Sequence, residues 1–437
     1  MRRLRTAKAL HRSPSAASGP RRRPRSILTA CLGLSGGLAL VGCSPGQAPP
    51  NVLYIAVSTS ADQTIDAELI EEYRDRLQLL EQGFRQIHAN TRFQFSLYPE
   101  QQIEAAIHRR NRAGLAPDLI FTNGDIAQRL MQDGLVSPYP GTADTLRLFN
   151  PEVLARLRSR HGRLVGLPVL LQTQLACYNR QRLPQPPATL TDLLAASASG
   201  HPVGLPVELP NLLWSAGSLG TLPAIEQTLA DRPTSVSGRL QAIERWLIWL
   251  QAASDQQRVT FYPNQQTLET EFLARRLDWI PCQSTALARL RRRMGTALGV
   301  SPLPAGPAGP ARPFNHLRIL ALGTNSSASG RKRALEFIRF SVNPLTQRGL
   351  TLGSQTVLPA NRFVQVPVSS SNTLQAMVTS ELQGRQVNGL IALLYALKPR
   401  MARAQILITQ LVFGEIAPRE ASRELMSVLQ PMEELNR

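Results

Sequence analysis

The sequence predicts an α/β fold in two parts, each with its own sheet. Three observations carry this. With 437 residues, 43% of them apolar, the chain is long enough to bury two cores. From residue 51 to about 134, strand-like runs alternate with helical periodicity in the order β-α-β-α-β-α, which implies a mostly parallel sheet covered on both faces. A second α/β segment follows, and the tail from Leu374 reads almost wholly as helix.

Asn51–Val57 (NVLYIAV) is a continuous apolar strand. Leu69, Tyr73, Leu77, Leu80, Phe84 and Ile87 then recur at helical spacing and give one long amphipathic helix. Phe93, Phe95 and Leu97 alternate as a strand, Ile103 and Ile107 mark a helix, and Asp118–Phe121 is a third strand. The loops Ser58-Thr59-Ser60 and Thr122-Asn123-Gly124-Asp125 follow strand carboxyl ends, where doubly wound sheets place ligands. Residues 166–180, GLPVLLQTQLACYNR, set Gln172, Thr173 and Gln174 in the middle of an apolar strand. With period two, one face is apolar and the other carries Gln172, Gln174 and Tyr178. Helical patterns cover roughly 189–198, 238–253 and 265–277, and PLPAGPAGPARP (302–313) punctuates the chain. Leu317–Leu322 resumes as a strand, Lys332–Val342 as a helix, and Pro418 suits a first helical position.

The formal charge of +19 does not mark a nucleic-acid binder. Nine bases and no acid fall in residues 1–42, and the remainder carries +10. Basic clusters such as Arg291-Arg292-Arg293 have no interleaved aromatics, so they read as solvated helix faces, and no nucleic-acid partner is expected. No close-spaced histidine pair, CxxC, phosphate-binding loop or G-x-S-x-G elbow is present, so neither catalysis, metal nor cofactor is expected.

Residues 1–42 read as an export signal: basic runs precede Ile27–Gly42, an apolar stretch too short to span a bilayer. Leu40-Val41-Gly42-Cys43 resembles the bacterial lipobox, which implies cleavage before Cys43, its acylation, and a tether over 43–50. The expected product is an exported lipoprotein anchored to the membrane and facing the periplasm or cell exterior. Cys177 and Cys282 then remain, in a compartment that permits a disulfide. Both lie in apolar strands where buried free thiols are equally at home, so their pairing stays open.

Seven stretches in order resemble the extracellular solute-binding proteins of the sugar-binding, maltose-binding-protein-like class, which serve ABC importers. They are 117–139 (PDLIFTNGDIAQRLMQDGLVSPY), 162–180, PPATLTDLL (186–194), FLARRLDWIPCQSTALARL (272–290), 321–347, SQTVLPA (354–360) and FGEIAPREAS (413–422). The resemblance implies a type II periplasmic-binding-protein fold. Two lobes, 51–170 with 320–356 and 171–319 with 357–437, would be joined by crossovers near 170–178, 316–323 and 355–362. A small solute bound between them would be enclosed by hinge motion and passed to the permease subunits.

Position by position, the family's sugar-binding carboxylate matches Asp125, and an acid of the first crossover matches Gln172. A cleft tryptophan matches Trp214, and a stacking tryptophan matches Thr285 within Gln283-Ser284-Thr285. Ser58, Ser60, Asn123, Gln174 and Gln355 complete the expected site. A cleft with one ring and many amides and hydroxyls fits a small, polar, carbohydrate-like solute. Two alternatives stand beside it: an anionic sugar phosphate or glycerol phosphate compound as ligand, and a transport-independent sensor or interaction lipoprotein of the same fold.

Overall fold

The computed structural model describes residues 51–59, 65–230, 235–387, 390, 394 and 398–430. Cys43 with its leader and tether, and Ser60, lie outside these residues. In chain order the strands are β1 (Asn51–Ser58), β2 (Thr91–Tyr98), β3 (Leu119–Asn123), β4 (Val136–Ser137), β5 (Leu167–Gln172) and β6 (Gln174–Asn179). There follow β7 (Val203–Pro206), β8 (Val259–Tyr262), β9 (Trp279–Gln283), β10 (Leu298–Ser301), β11 (His316–Gly323) and β12 (Leu358–Pro359).

They form two sheets. The first runs β12-β5-β11-β3-β1-β2, with β4 also paired to β11, and the second runs β10-β6-β9-β7-β8. β1 pairs in parallel with β2 and β3, as the strand–helix alternation predicts. β11, however, is antiparallel to both β3 and β5, so the first sheet is mixed rather than mostly parallel. The chain path is the cause: β5 leaves this lobe and β11 returns to it, so the two lie in opposite senses.

Helix Ala67–Ile87 starts where Asp66 accepts the Leu69 amide at 2.7 Å, and its apolar stripe packs into the first lobe. Its Phe84 is fully buried and meets Phe93, Phe337 and Phe340 edge-on at 5.8, 5.3 and 5.5 Å. Such ring pairs add about 0.5–1.5 kcal/mol each beyond area burial. The second lobe has a core on each face of its sheet. One gathers Trp214, Trp246 and Trp279, with Trp249 packed against it. The other holds Cys177 and Cys282 with Leu268, Phe272 and Ile280. These cysteines, left open by the sequence, are bonded to each other across β6 and β9, their Cα atoms 5.8 Å apart.

Two element ends differ from expectation. The helix predicted to reach 277 stops at Leu273, where the chain turns through Arg275 at φ +59°. The helix predicted from Lys332 begins at Ala328, because Ser327 caps it by accepting the Gly330 amide at 3.0 Å. The Pro/Gly segment 302–313 is packed rather than loose. A Cβ on Gly306 would fall 2.4 Å from the Ser218 carbonyl, so only glycine fits this approach.

Candidate functional site

The chain passes between the lobes three times: at Thr173 between β5 and β6, near Phe314-Asn315 before β11, and after β12; the second and third crossings are not at 316–323 and 355–362 as expected, because β11 and β12 pair within the first sheet. Side chains pin these crossings together. The Ser284 hydroxyl accepts the Thr173 amide at 3.0 Å and donates to the Thr356 carbonyl at 2.7 Å, joining the first crossing to the first-lobe segment that leads into β12. Asn315 accepts the Gln174 amide at 3.1 Å and donates to the Ser380 carbonyl at 3.0 Å. The Gln174 amide group itself donates to the Asn211 carbonyl at 2.9 Å and accepts from the Phe314 amide at 3.0 Å. Each bond satisfies a group that would otherwise be buried unpaired, at a cost of about 1–3 kcal/mol.

The crossings divide the interlobe region into two sides. Leu171 lines a groove of about 710 Å³, whereas its neighbour Gln172 lines a small apolar space of about 50 Å³ beside Tyr73 and Arg76. Alternation along β5 thus sends the two side chains to opposite sides.

On the Gln172 side the lobes touch in a seam, and the carboxyl ends of parallel strands from both sheets contribute to it. From the first lobe, Ser58 donates to Thr122 at 3.0 Å. Arg318, 1% exposed, reaches it from β11: its guanidinium donates to the Ser58 carbonyl and, at 2.7 Å, to the Ser58 hydroxyl. The same guanidinium lies 3.6 Å from Glu100 and 5.1 Å from the centre of the Phe121 ring. From the second lobe come Gln283, Ser284 and Thr285, all buried, with the Gln283 Oε1 atom lacking a hydrogen-bond partner. Arg76, paired with Glu72, donates to the Thr285 carbonyl at 2.9 Å and so bridges the lobes. Arg289 pairs with Glu269 in the second lobe. Burial opposes its charge, yet Glu269 and the first-lobe acids Glu72, Glu68 and Asp66 hold its pKa above the ordinary arginine value. The charges of the seam therefore neutralise one another in pairs, and what remains is a set of amides, hydroxyls and carbonyls.

The groove on the other side is lined by Asn123, Asp125, Glu152 and Arg156 from the first lobe, His316 from the hinge, and Glu381 and Arg385 from the second. Burial, then the Arg318 charge, pushes the His316 imidazole down to about 4, so it is neutral at physiological pH. The lobes meet at the seam and stand apart at the groove.

The expected site residues are thus dispersed. Gln283, Ser284 and Thr285 lie where the lobes touch, Ser58 is held by Arg318 at the end of β1, and Gln172 lines the first-lobe space beside Arg76. Asn123 and Asp125 line the groove, Asn123 also capping helix Gly124–Gln132 by accepting the Ile126 amide at 2.9 Å. Trp214 does not face the cleft: it is fully buried, 6.1 and 6.3 Å from Trp279 and Trp249, because helix Leu209–Ser218 is enclosed almost all round. Gln174 is a hinge strap with its amide fully engaged. Gln355 ends helix Pro344–Ser354 in the left-handed conformation, φ +48°, and accepts the Ser371 hydroxyl at 3.0 Å. Sequence reasoning missed Arg318 and Arg76. A lone arginine within HLRILALG was a usable signal for the first, since a charge inside a buried strand needs partners. Arg76 is one of several arginines on an amphipathic helix and carried none.

Residues 82–376 match the model of a family described as bacterial extracellular solute-binding protein. No curated protein sequence matches the chain. Among solved structures, the GacH receptor of Streptomyces glaucescens, studied unliganded and with acarbose, is similar at 17% identity. That match covers 86% of this chain and 97% of the receptor with a TM-score of 0.68. The maltose-maltodextrin binding protein of Alicyclobacillus acidocaldarius is similar at 18% identity, covering 87% and 100% of the two chains, TM-score 0.65. A solute-binding protein of Thermotoga lettingae bound with α-D-tagatose is similar at 15% identity, covering 87% and 100%, TM-score 0.61.

Proposed function

We propose, from the premise that the chain belongs to the bacterial extracellular solute-binding family, that it captures a neutral carbohydrate-like solute at the seam and delivers it to an ABC permease. The observation that supports this best is the seam itself. Hydrogen-bonding side chains from the strand ends of both sheets converge there across a pinned three-strand hinge, while the ionic groups are already paired. A charged solute would have to disrupt those pairs; a polyol needs only the amides, hydroxyls and carbonyls. Hinge opening at the seam admits the solute, and closure encloses it. In this reading Ser58, Gln172, Gln283 and Thr285 meet the solute, while Asn123 and Asp125, at the end of β3, line the groove across the hinge. Each lobe is built on one sheet: β1 to β5 with β11 and β12 in the first, so that this lobe reaches Gln172 and takes in 316–359 rather than the expected 51–170 with 320–356, and β6 to β10 in the second. The protein acts outside the cell membrane, held to it by an acylated Cys43, so Cys43→Ala should release it from the membrane fraction.

The solutes named for the similar structures, acarbose, maltodextrins and tagatose, are consistent with this class. A second reading, an anionic sugar phosphate, has one observation in its favour: the buried Nε atom of Arg318 lacks a hydrogen-bond partner. A thermal-shift panel of neutral sugars, polyols and sugar phosphates separates the two. A solute at 100 times its Kd adds about 2.7 kcal/mol of stability. A shift confined to neutral sugars is expected, one confined to phosphates supports the second reading, and no shift from any compound overturns both.

A further inference from the structure

Arg291, Arg292 and Arg293 of helix Leu287–Met294, which the sequence presents as a solvated basic face, all engage the opposite lobe. Arg292 and Arg293 lie 3.5 and 3.7 Å from the two oxygens of Glu68, in the first turn of helix Ala67–Ile87. Arg289, paired with Glu269 in its own lobe, also feels the charges of Glu72, Glu68 and Asp66. Arg291 donates to the carbonyls of Ser354 and Gln355, at 3.1 and 3.0 Å, at the end of helix Pro344–Ser354 just before β12. One second-lobe helix therefore grips the first lobe at two places, an acidic helix start and a set of helix-end carbonyls. It directly follows Ser284-Thr285-Ala286, the segment that brings Thr285 against Arg76.

We propose that helix Leu287–Met294 is a closing clamp, whose arginines position Thr285 at the seam and set the fraction of molecules closed. This rests on reading the chain as a hinge-closing receptor, but it concerns closure before any solute binds. Arg291 holds the helix end that leads into β12. Arg292 and Arg293 hold a second helix of the same lobe, at Glu68. Both Glu68 pairs are solvent-exposed, so they are individually weak and screened by salt. Together they shift the closed population by about three- to tenfold. Solute affinity follows that population, because only closed molecules offer the complete site.

The test is small-angle scattering of the full-length protein without solute, which reads closure directly. The radius of gyration should rise as salt goes from about 20 to about 500 mM, over which the Debye length falls several-fold. The exposed pair Arg292→Glu with Arg293→Glu should give the larger radius at both salts, and adding Glu68→Arg should restore the smaller one. Circular dichroism confirms that each variant is folded. An unchanged radius in the double variant, or an open triple variant, overturns the clamp. That outcome leaves solute-induced closure intact, so failure of the clamp is distinct from failure of the receptor reading. With a binding solute in hand, the double variant should release it about three- to tenfold faster.

Discussion

Replacing Cys177 and Cys282 together by alanine removes a bond between residues 105 apart in sequence, both buried in the second-lobe core. Chain-entropy arithmetic for a loop of that length assigns the cross-link about 4.8 kcal/mol of stability at 25 °C. Residual structure in the unfolded chain lowers that figure, and losing two buried sulfurs from a close-packed core adds to the cost. The expected loss is about 3–5 kcal/mol. It should appear in one lobe, because the bond closes β6 onto β9 inside the second sheet and touches nothing in the first. All four tryptophans, 214, 246, 249 and 279, belong to that second lobe, so their fluorescence follows it selectively. In guanidinium titrations the tryptophan transition should move to lower denaturant at unchanged slope. First-lobe signals, such as exchange protection of the β1 and β3 amides, should keep their midpoint. A tryptophan-reported loss below about 1 kcal/mol, or an equal loss in both lobes, would refute the placement of the bond as a second-lobe staple.

Ser284→Ala leaves the Thr173 amide and the Thr356 carbonyl without their shared hydroxyl, and should cost about 1–3 kcal/mol in chemical denaturation, with Ser284→Thr recovering part of it. Arg318→Met removes the guanidinium 3.6 Å from the buried Glu100. A thermal melt should show a loss of about 3–5 kcal/mol, and replacing Glu100 by Gln in the same variant should return some of it. His316 gives a pH dependence whose sign is fixed by its low value. The unfolded chain takes up the proton below its ordinary 6.5 and the folded chain only near 4, so stability is level above pH 7 and falls through that window. Full burial would make the loss about 3 kcal/mol; water reaching the ring along the groove reduces it to about 1–2 kcal/mol, and His316→Asn should flatten the profile between pH 4 and 7.

The fold was legible because its signals are local. Hydrophobic period marked β1 and the long helix after it, and Gln172-Thr173-Gln174 marked the first crossing. The direction of β11 was not legible, because it depends on where the chain goes between 180 and 315. The site was half legible for the same reason. Polar residues after strand ends could be named, but which side of the hinge each faces depends on register. Gln172 and Leu171 differ by one residue and lie on opposite sides. Trp214 was misplaced because a helix buried on every face has no periodicity to say which way a ring points. The Arg291–Arg293 run looked like solvated charge, since its acidic partner Glu68 is over two hundred residues away in sequence.

The claim that the solute is held at the seam, and not in the larger groove, is tested most directly by a crystal structure with the sugar that gives the greatest thermal shift. The account predicts density between Gln172 and Thr285, within hydrogen-bond reach of Gln283 Oε1, with the lobes closed around it. Density confined to the groove between Asp125 and Glu381, with the seam unchanged, would contradict it.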